Sequence, residues 1–224
     1  MKVQILEKSQ MRIKFLLEDA TPAFANALRR TMKSEVPTMA IEDVDMEENT
    51  SGLFDELVAH RLGLIALTFD RKIYNMKEEC KCDGKGCSRC QVVLVLEKQG
   101  PCTVKAGDMK STADDVMAVD PNVPIVELLE GQKLKFEAFA QLGLGIDHIK
   151  WQAGHVGYKY KPMKFKGDLK ELREMENDKL DDSAFIFDVE SVSGLSAKEI
   201  IEASIDVLQE RSKELASEIK KVVK

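Results

Sequence analysis

The C-terminal region carries the pattern that most constrains the fold of this chain. Ser196 and Glu199 stand at the two positions of a helix-capping box. Behind them, apolar side chains recur at helical spacing: Ile200, Ala203, Val207, Leu208, Leu215, Ile219 and Val222. A helix over 197–223 would be about 40 Å long at ~1.5 Å per residue, which exceeds the extent of a compact domain of this size. The apolar stripe over 215–223 therefore predicts contact with another protein.

A strand and a second amphipathic helix are predicted at the other end of the chain. Residues 2–17 nearly alternate between apolar and polar side chains, as in a half-buried strand. Thr21 is suited to cap a helix, and Pro22 suits its first position, where a missing N–H does no harm. The helix should end before Pro37, because the residue preceding a proline is pushed out of helical space. Its apolar face would carry Phe24, Ala27, Leu28 and Met32.

The two ends of the chain are alike in kind, whereas the middle is irregular. Apolar and polar residues alternate over 185–189, which predicts a last strand directly before the long helix. We therefore predict an α+β fold in which a mainly-β domain, residues 38–165, interrupts a strand–helix domain made of 1–37 and 183–224. Residues 166–182 are charged and lack apolar periodicity, so we expect a solvated linker there.

A cysteine-rich loop is the strongest local signal for a bound metal. Four of the five cysteines, Cys80, Cys82, Cys87 and Cys90, lie in two pairs around a glycine turn. Four thiolates suit tetrahedral zinc, and a closed four-ligand site leaves no open position for water, so its role would be structural. An iron–sulfur cluster and metal-free thiols remain alternatives. Cys102 lies outside the group and is interpreted as a small buried residue or a free thiol.

Charge and motifs narrow the classes of function. The net charge of the 224 residues is −6, so contact with DNA or RNA should be local or indirect. The N-terminus lacks a signal-peptide run, and no segment approaches about 18 uninterrupted apolar residues, which predicts a cytoplasmic protein without membrane contact. No serine-hydrolase, zincin or P-loop pattern occurs. A metal hydrolase using His60 is the enzyme alternative, although Glu56 and His60 fit an ordinary ion pair on a solvated helix face.

Residues 158–166 favour a second class of function, nucleic-acid binding. Tyrosine, methionine and phenylalanine alternate there with lysines. Aromatic rings stack on bases while lysines contact phosphates, so a free-standing zinc-containing nucleic-acid binder is the alternative hypothesis. The simpler interpretation is an edge strand with one packed face and lysines on the other.

Three longer motifs resemble a known family. The run from Asn26 to Pro37, followed by Met39-Ala-Ile41, resembles the N-terminal motif of the alpha-like subunits of multisubunit RNA polymerases. Residues 54–67 and 142–152 are similar to the archaeal and eukaryotic branch of that family, and the archaeal D-type subunits are the most similar.

The resemblance implies an assembly role without catalytic residues. Such subunits have a dimerisation domain, with an antiparallel sheet and helices, split between the chain ends around an inserted domain. They pair with a smaller L subunit, and the pair carries the large catalytic subunits and the small subunits N and P. The implied L-facing residues are Phe24, Ala27, Leu28, Met32, Ile200, Val207, Leu208, Leu215 and Ile219. Arg29 and Arg30 would face a large subunit, and DNA would be met only through the complex.

The resemblance also bears on the metal. The cysteine loop is similar to the zinc loop of the eukaryotic counterpart. Four residues separate Cys82 from Cys87 here, one more than is expected for that loop. Some members carry an extra ferredoxin-like domain with iron–sulfur cysteines near this chain's residues 163–183. That segment here contains no cysteine, so we expect structural zinc and no iron–sulfur cluster.

Overall fold

The computed structural model describes residues 1–173, 175 and 178–222, and the predicted helix end at Val223 lies outside the described residues. The strands are β1 (Lys2–Lys8), β2 (Arg12–Glu18), β3 (Thr38–Asn49), β4 (Val92–Gln99), β5 (Cys102–Lys105), β6 (Lys110–Ser111), β7 (Pro124–Leu128), β8 (Lys133–Gly143), β9 (Gly154–Pro162) and β10 (Leu180–Ser191). The helices are α1 (Pro22–Ser34), α2 (Asp55–Gly63) and α3 (Ala197–Val222). All strand pairs are antiparallel, so the α+β class is confirmed.

The chain forms two compact units, residues 1–36 with 152–224 and residues 37–151. We call them the terminal unit and the inserted unit. The terminal unit has a four-stranded sheet in the order β1-β2-β10-β9. Helices α1 and α3 pack together and over one face of this sheet, where Phe15 and Phe187 stack at 4.9 Å between ring centroids. That face, with the buried sides of the helices, forms the core of the terminal unit.

Strand β9 lies in the terminal unit, which corrects the predicted end of the inserted domain. The prediction placed residues 38–165 together, but β9 pairs with β10 over its whole length, from Gly154↔Ser191 to Pro162↔Leu180. The alternation of lysines with aromatic residues marked β9 as a strand, but the pattern does not name its partner. The division in the structure falls at 151/152.

The described residues of the segment 166–182 include packed ones, which corrects the prediction of a solvated linker. Phe165 and Leu172 are buried in a cluster with Leu16, Ala184 and Ile186 on the face of the sheet opposite the helices. Strand β10 also begins inside the predicted linker, at Leu180. A few apolar side chains among many charges are enough to cover this small patch, although they form no periodic pattern.

The long C-terminal helix forms as predicted over the described residues. Ser196 Oγ accepts a hydrogen bond from Glu199 N at 3.3 Å, and Glu199 Oε2 accepts one from Ser196 N at 2.7 Å. These reciprocal bonds satisfy two of the free N–H groups at the start of α3. Among the described residues, no helix is both long and apolar enough to cross a lipid bilayer.

The inserted unit has its own sheet and core. Its main sheet has the order β3-β8-β4-β6, and β5 pairs with β7 beside it. Helix α2 lies along β3 and buries Val58 and Leu62 in the core. A Cβ at position 143 would lie 2.3 Å from the Trp151 ring, so only glycine lets this indole pack against the end of β8.

Candidate functional site

The cysteine loop lies just before β4 and is folded by local turns. A short 3-10 helix, Lys77–Glu79, leads into Cys80. Gly84 and Gly86 then adopt left-handed φ angles of 74° and 84°, which glycine tolerates without strain. Cys90 N donates to Cys87 O at 2.9 Å, closing the second turn. The two turns direct both cysteine pairs toward each other, although Cys82 and Cys87 are separated by four residues.

The four sulfur atoms converge on one point. Their Sγ–Sγ distances are 3.6 Å for Cys80–Cys87, 3.5 Å for Cys82–Cys90 and 3.8 Å for Cys87–Cys90. A tetrahedron with metal–sulfur bonds of about 2.3 Å has edges of about 3.8 Å. The four cysteines can therefore hold one metal ion.

Burial and hydrogen bonds within the cluster shift the pKa values of Cys90 and Cys82 in opposite directions. Burial raises the pKa of Cys90 to about 12. Burial also acts to raise the pKa of Cys82, but hydrogen bonds from the neighbouring thiols outweigh it and lower that pKa to about 7. One thiolate is thus accessible near neutral pH, and a bound cation would favour ionisation of the others.

No second converging set of metal ligands appears in the described part of the chain. Of the groups of three or more His, Cys, Asp or Glu residues there, only the four cysteines bring their ligand atoms within 4.8 Å of one another. His60 is exposed on α2 and belongs to no such group.

The residues predicted to face a partner divide into three sets by exposure. Leu28, Met32 and Ile200 are buried in the terminal unit's own core. Val207 and Leu208 are half-buried along α3. The exposed set is Phe24, Ala27, Leu215 (63%) and Ile219 (52%). The first set can shape a partner surface from beneath, and only the last two sets can touch a partner.

Further exposed apolar side chains of the terminal unit were not predicted from the sequence. Val3 is 62% exposed and Ile5 53% exposed on the edge strand β1. They pair with Leu17 and Phe15, so they lie on the face of the sheet that carries the helices. On α3, Ile205 is also exposed, together with Val222 of the predicted apolar stripe. The alternation in β1 could have indicated Val3 and Ile5, because residues two apart in a strand point to the same face and both are apolar.

Arg29 and Arg30 differ in their surroundings. The Arg29 guanidinium donates to Asn26 Oδ1 at 3.0 and 3.3 Å and is half-buried. Arg30 is exposed. Arg30 is therefore the more available of the two cations for contact with another protein.

The tyrosines of β9 are packed against the sheet rather than offered to solvent. Tyr158 lies 5.4 Å and Tyr160 5.1 Å from the Phe185 ring, between centroids, and Lys161 Nζ binds Glu18 Oε1 at 2.6 Å. Both rings are half-buried and pack edge-on or tilted against Phe185, which leaves less of each ring open to stack on a base. The arrangement disfavours the nucleic-acid-binding alternative and fits an edge strand with one packed face.

Comparisons with known proteins agree with this architecture. The family model described as the RNA polymerase Rpb3/RpoA insert domain matches residues 41–157. The DNA-directed RNA polymerase subunit Rpo3 of Methanosarcina acetivorans is 49% identical over 73% of this chain and 62% of its own length. Rpo3 of Pyrococcus furiosus is 50% identical over 71% of this chain and 59% of its own length.

The match to those two relatives thus spans about three fifths of their length. Rpo3 of Thermococcus kodakarensis is 36% identical over 98% of both chains, so its likeness extends through the terminal unit as well. The chain belongs to the family of DNA-directed RNA polymerase subunits named Rpo3, and its middle is an Rpb3/RpoA insert domain.

Proposed function

We propose that this chain is a non-catalytic assembly subunit of a DNA-directed RNA polymerase, equivalent to the archaeal D subunit. It pairs with an L-type subunit, and the pair is the platform for the large catalytic subunits and the small subunits N and P. Nucleotidyl transfer belongs to the large subunits, and DNA is met only through the complex in the cytoplasm. Membership of the Rpo3 family supports this role.

The free end of α3 is the observation that carries the proposal. Arg211 Nη1 binds Glu35 Oε2 at 2.6 Å, which ties the helix to the end of α1. Beyond this ion pair, residues 212–222 are all exposed. Leu215, Ile219 and Val222 fall on one side of the helix, and burying each in a complex would contribute roughly 1.5–3 kcal/mol. A helix end of this kind gains its stability from a partner.

Continuity of the apolar surface supports the same partner face. Ile205 lies three residues before the half-buried Leu208 on α3, and Leu215, Ile219 and Val222 follow at spacings of seven, four and three residues, as in the seven-residue repeat of a helix–helix seam. Strand β1 adds Val3 and Ile5 on the helix-bearing side of the sheet. We infer that the L-type subunit packs along α3 and reaches this sheet edge.

Co-expression with an L-type subunit tests the proposal. We expect a stable one-to-one complex by size-exclusion chromatography with light scattering. The double variant Leu215→Glu/Ile219→Glu should weaken pairing at least roughly tenfold, since each change buries a charge in an apolar contact. Ser217→Glu, on the opposite side of α3, is the matched control and should pair normally. A wild-type chain that stays a monodisperse monomer beside the L-type subunit would overturn the proposal.

We further propose that the cysteine loop holds structural zinc rather than an iron–sulfur cluster. Sulfur–sulfur distances of 3.5–3.8 Å suit a single tetrahedral ion of zinc's bond length. All four positions of such an ion would be filled by Cys80, Cys82, Cys87 and Cys90, so the ion would fix the loop and offer no site for a substrate.

A further inference from the structure

The inserted unit has an outer sheet face that carries both apolar and acidic side chains. Along β8 and β4, buried residues alternate with residues that point away from the core. The outward-pointing set includes three half-buried apolar side chains, Val93, Val95 and Phe139. The register pairs Phe139 with Val93 and with Asp43, so these residues lie in one row across three strands.

Acidic side chains surround this apolar centre on two sides. Strand β3 contributes Asp43, Asp45 and Glu47, while β8 contributes Glu137 and β4 contributes Glu97. Lysines lie among them too: Lys135 Nζ binds Glu47 Oε2 at 2.5 Å, and the exposed Lys110 lies opposite Val95. The pKa of Lys135 is raised by Glu47 first and then by Glu97 and Glu137. The five carboxylates outnumber these lysines, so the face is negative around its apolar centre.

One cross-strand pair on this face is unfavourable within the chain itself. Asp45 lies directly opposite Glu137 in the β3–β8 ladder, and both are exposed. Like charges directly opposite each other in a sheet destabilise the pairing, by up to about 1 kcal/mol. A positive side chain placed between them from outside would reverse the sign of that interaction.

We propose that this outer face is a docking surface for a protein segment that presents lysine or arginine side chains around an apolar residue. The apolar residue covers Phe139, Val93 and Val95, and a cation bridges Asp45 and Glu137. A cleft of about 650 Å³ beside the face is lined by carboxylates and by Lys98, Lys110 and Lys135, so it leaves room for a further polar side chain of the segment. Nucleic acid is excluded by charge, and this surface is separate from the one proposed for the L-type subunit.

Fluorescence anisotropy with the full chain tests the proposal. The probe is a labelled nine-residue peptide of alternating lysine and valine, and a glutamate–valine peptide is its control. Asp45→Asn/Glu137→Gln should weaken lysine-peptide binding roughly tenfold. Glu127→Gln/Glu130→Gln removes the same charge from exposed positions elsewhere in the inserted unit and should leave binding unchanged. Amide shifts on peptide addition should centre on Val93, Val95 and Phe139.

The melting temperature supplies a second readout. Because Asp45→Asn/Glu137→Gln removes the repulsion, the isolated chain should melt a few degrees higher while binding more weakly, which loss of folding cannot imitate. Equal weakening by both double variants, amide shifts centred elsewhere, or no binding of the lysine peptide would overturn the proposal. So would a dimer of this chain that depends on the same face. None of these measurements involves the L-type subunit. A negative result would therefore reject the docking surface without rejecting the proposed assembly role.

Discussion

Cys80, Cys82, Cys87 and Cys90 obtain their geometry from the glycines between them. Positive φ angles at Gly84 and Gly86 reverse the backbone twice, so the longer inner spacing is taken up in the turn. Residue types and spacing therefore sufficed to predict this cluster, because the turns that bring the cysteines together lie within the loop. The partner-facing residues were harder to predict, since exposure of Leu28 or Leu215 depends on elements far away in sequence.

Loss of one sulfur should release the metal. For Cys87→Ser, we expect zinc in the purified chain to fall from one equivalent to below about half, because a tetrahedral structural site needs all four ligands. Cys102→Ser is the control, since Cys102 lies outside the cluster and its Sγ only approaches Gln99 O at 3.6 Å. Elemental analysis and a thiol assay measure the effect. A wild-type chain with four free thiols and little zinc would contradict the site.

Asp108 should make part of the stability pH-dependent. Lys98 Nζ binds its Oδ1 at 2.7 Å and Lys105 N donates to its Oδ2 at 2.9 Å, and both lower the pKa of Asp108 below its usual 3.8. A lowered pKa stabilises the fold above pH 4, and this contribution is lost as pH falls through the folded-state value. Asp108→Asn should cost about 1 kcal/mol at pH 7.

The cost of Asp108→Asn should shrink at acidic pH, where the wild-type carboxylate is itself protonated. Urea unfolding at several pH values measures it. Asp114→Asn, at an exposed position, is the matched control and should change little at any pH. A cost that stays constant down to about pH 2 would show that the carboxylate charge is not responsible.

At the scale of elements, helices were predicted better than strand partners. The cap at Ser196 and the apolar stripe of α3 are local, and so they could be identified from neighbouring residues. The pairing of β9 with β10 depends on contact across the segment 163–179, which alternation alone does not encode. The packing of Phe165 and Leu172 was missed for a related reason, because two apolar side chains in a charged segment make no periodic pattern.

Truncation of Leu172 measures how firmly that segment packs. Leu172 is 7% exposed, so Leu172→Ala should lower the free energy of unfolding by about 2 kcal/mol through lost burial and a residual cavity. Met163→Ala, at a residue 58% exposed in the same segment, should change it by less than about 0.5 kcal/mol. Chemical denaturation provides both values. Equal, small effects would restore the solvated-linker interpretation.

At the scale of the whole molecule, the surfaces proposed for different partner subunits differ in chemical character. The end of α3 and the edge of β1 carry exposed apolar side chains, as expected of a lasting pair, whereas Arg30 is an exposed cation. The chain as a whole is acidic, which suits a protein whose contacts are with other subunits rather than with nucleic acid.

Reversal of one charge should separate pairing from recruitment. Arg30→Glu should impair capture of the large subunit, by roughly tenfold, while pairing with the L-type subunit stays intact. Lys170→Glu, another exposed cation of the terminal unit, is the control for net charge and should recruit normally. Pull-down through a tagged L-type subunit measures both contacts. Loss of pairing in Arg30→Glu would show that the faces of α1 are assigned wrongly.

The strand order of the terminal sheet has a consequence for synthesis on the ribosome. β1 and β2 emerge before the inserted unit, but β2 also pairs with β10, which begins at Leu180. A two-stranded hairpin is only marginally stable in water, so these early strands wait for most of the chain. All the strand partners of the inserted unit lie within residues 37–151. The inserted unit can thus complete its fold during translation, whereas the terminal unit closes only after β10 has been added.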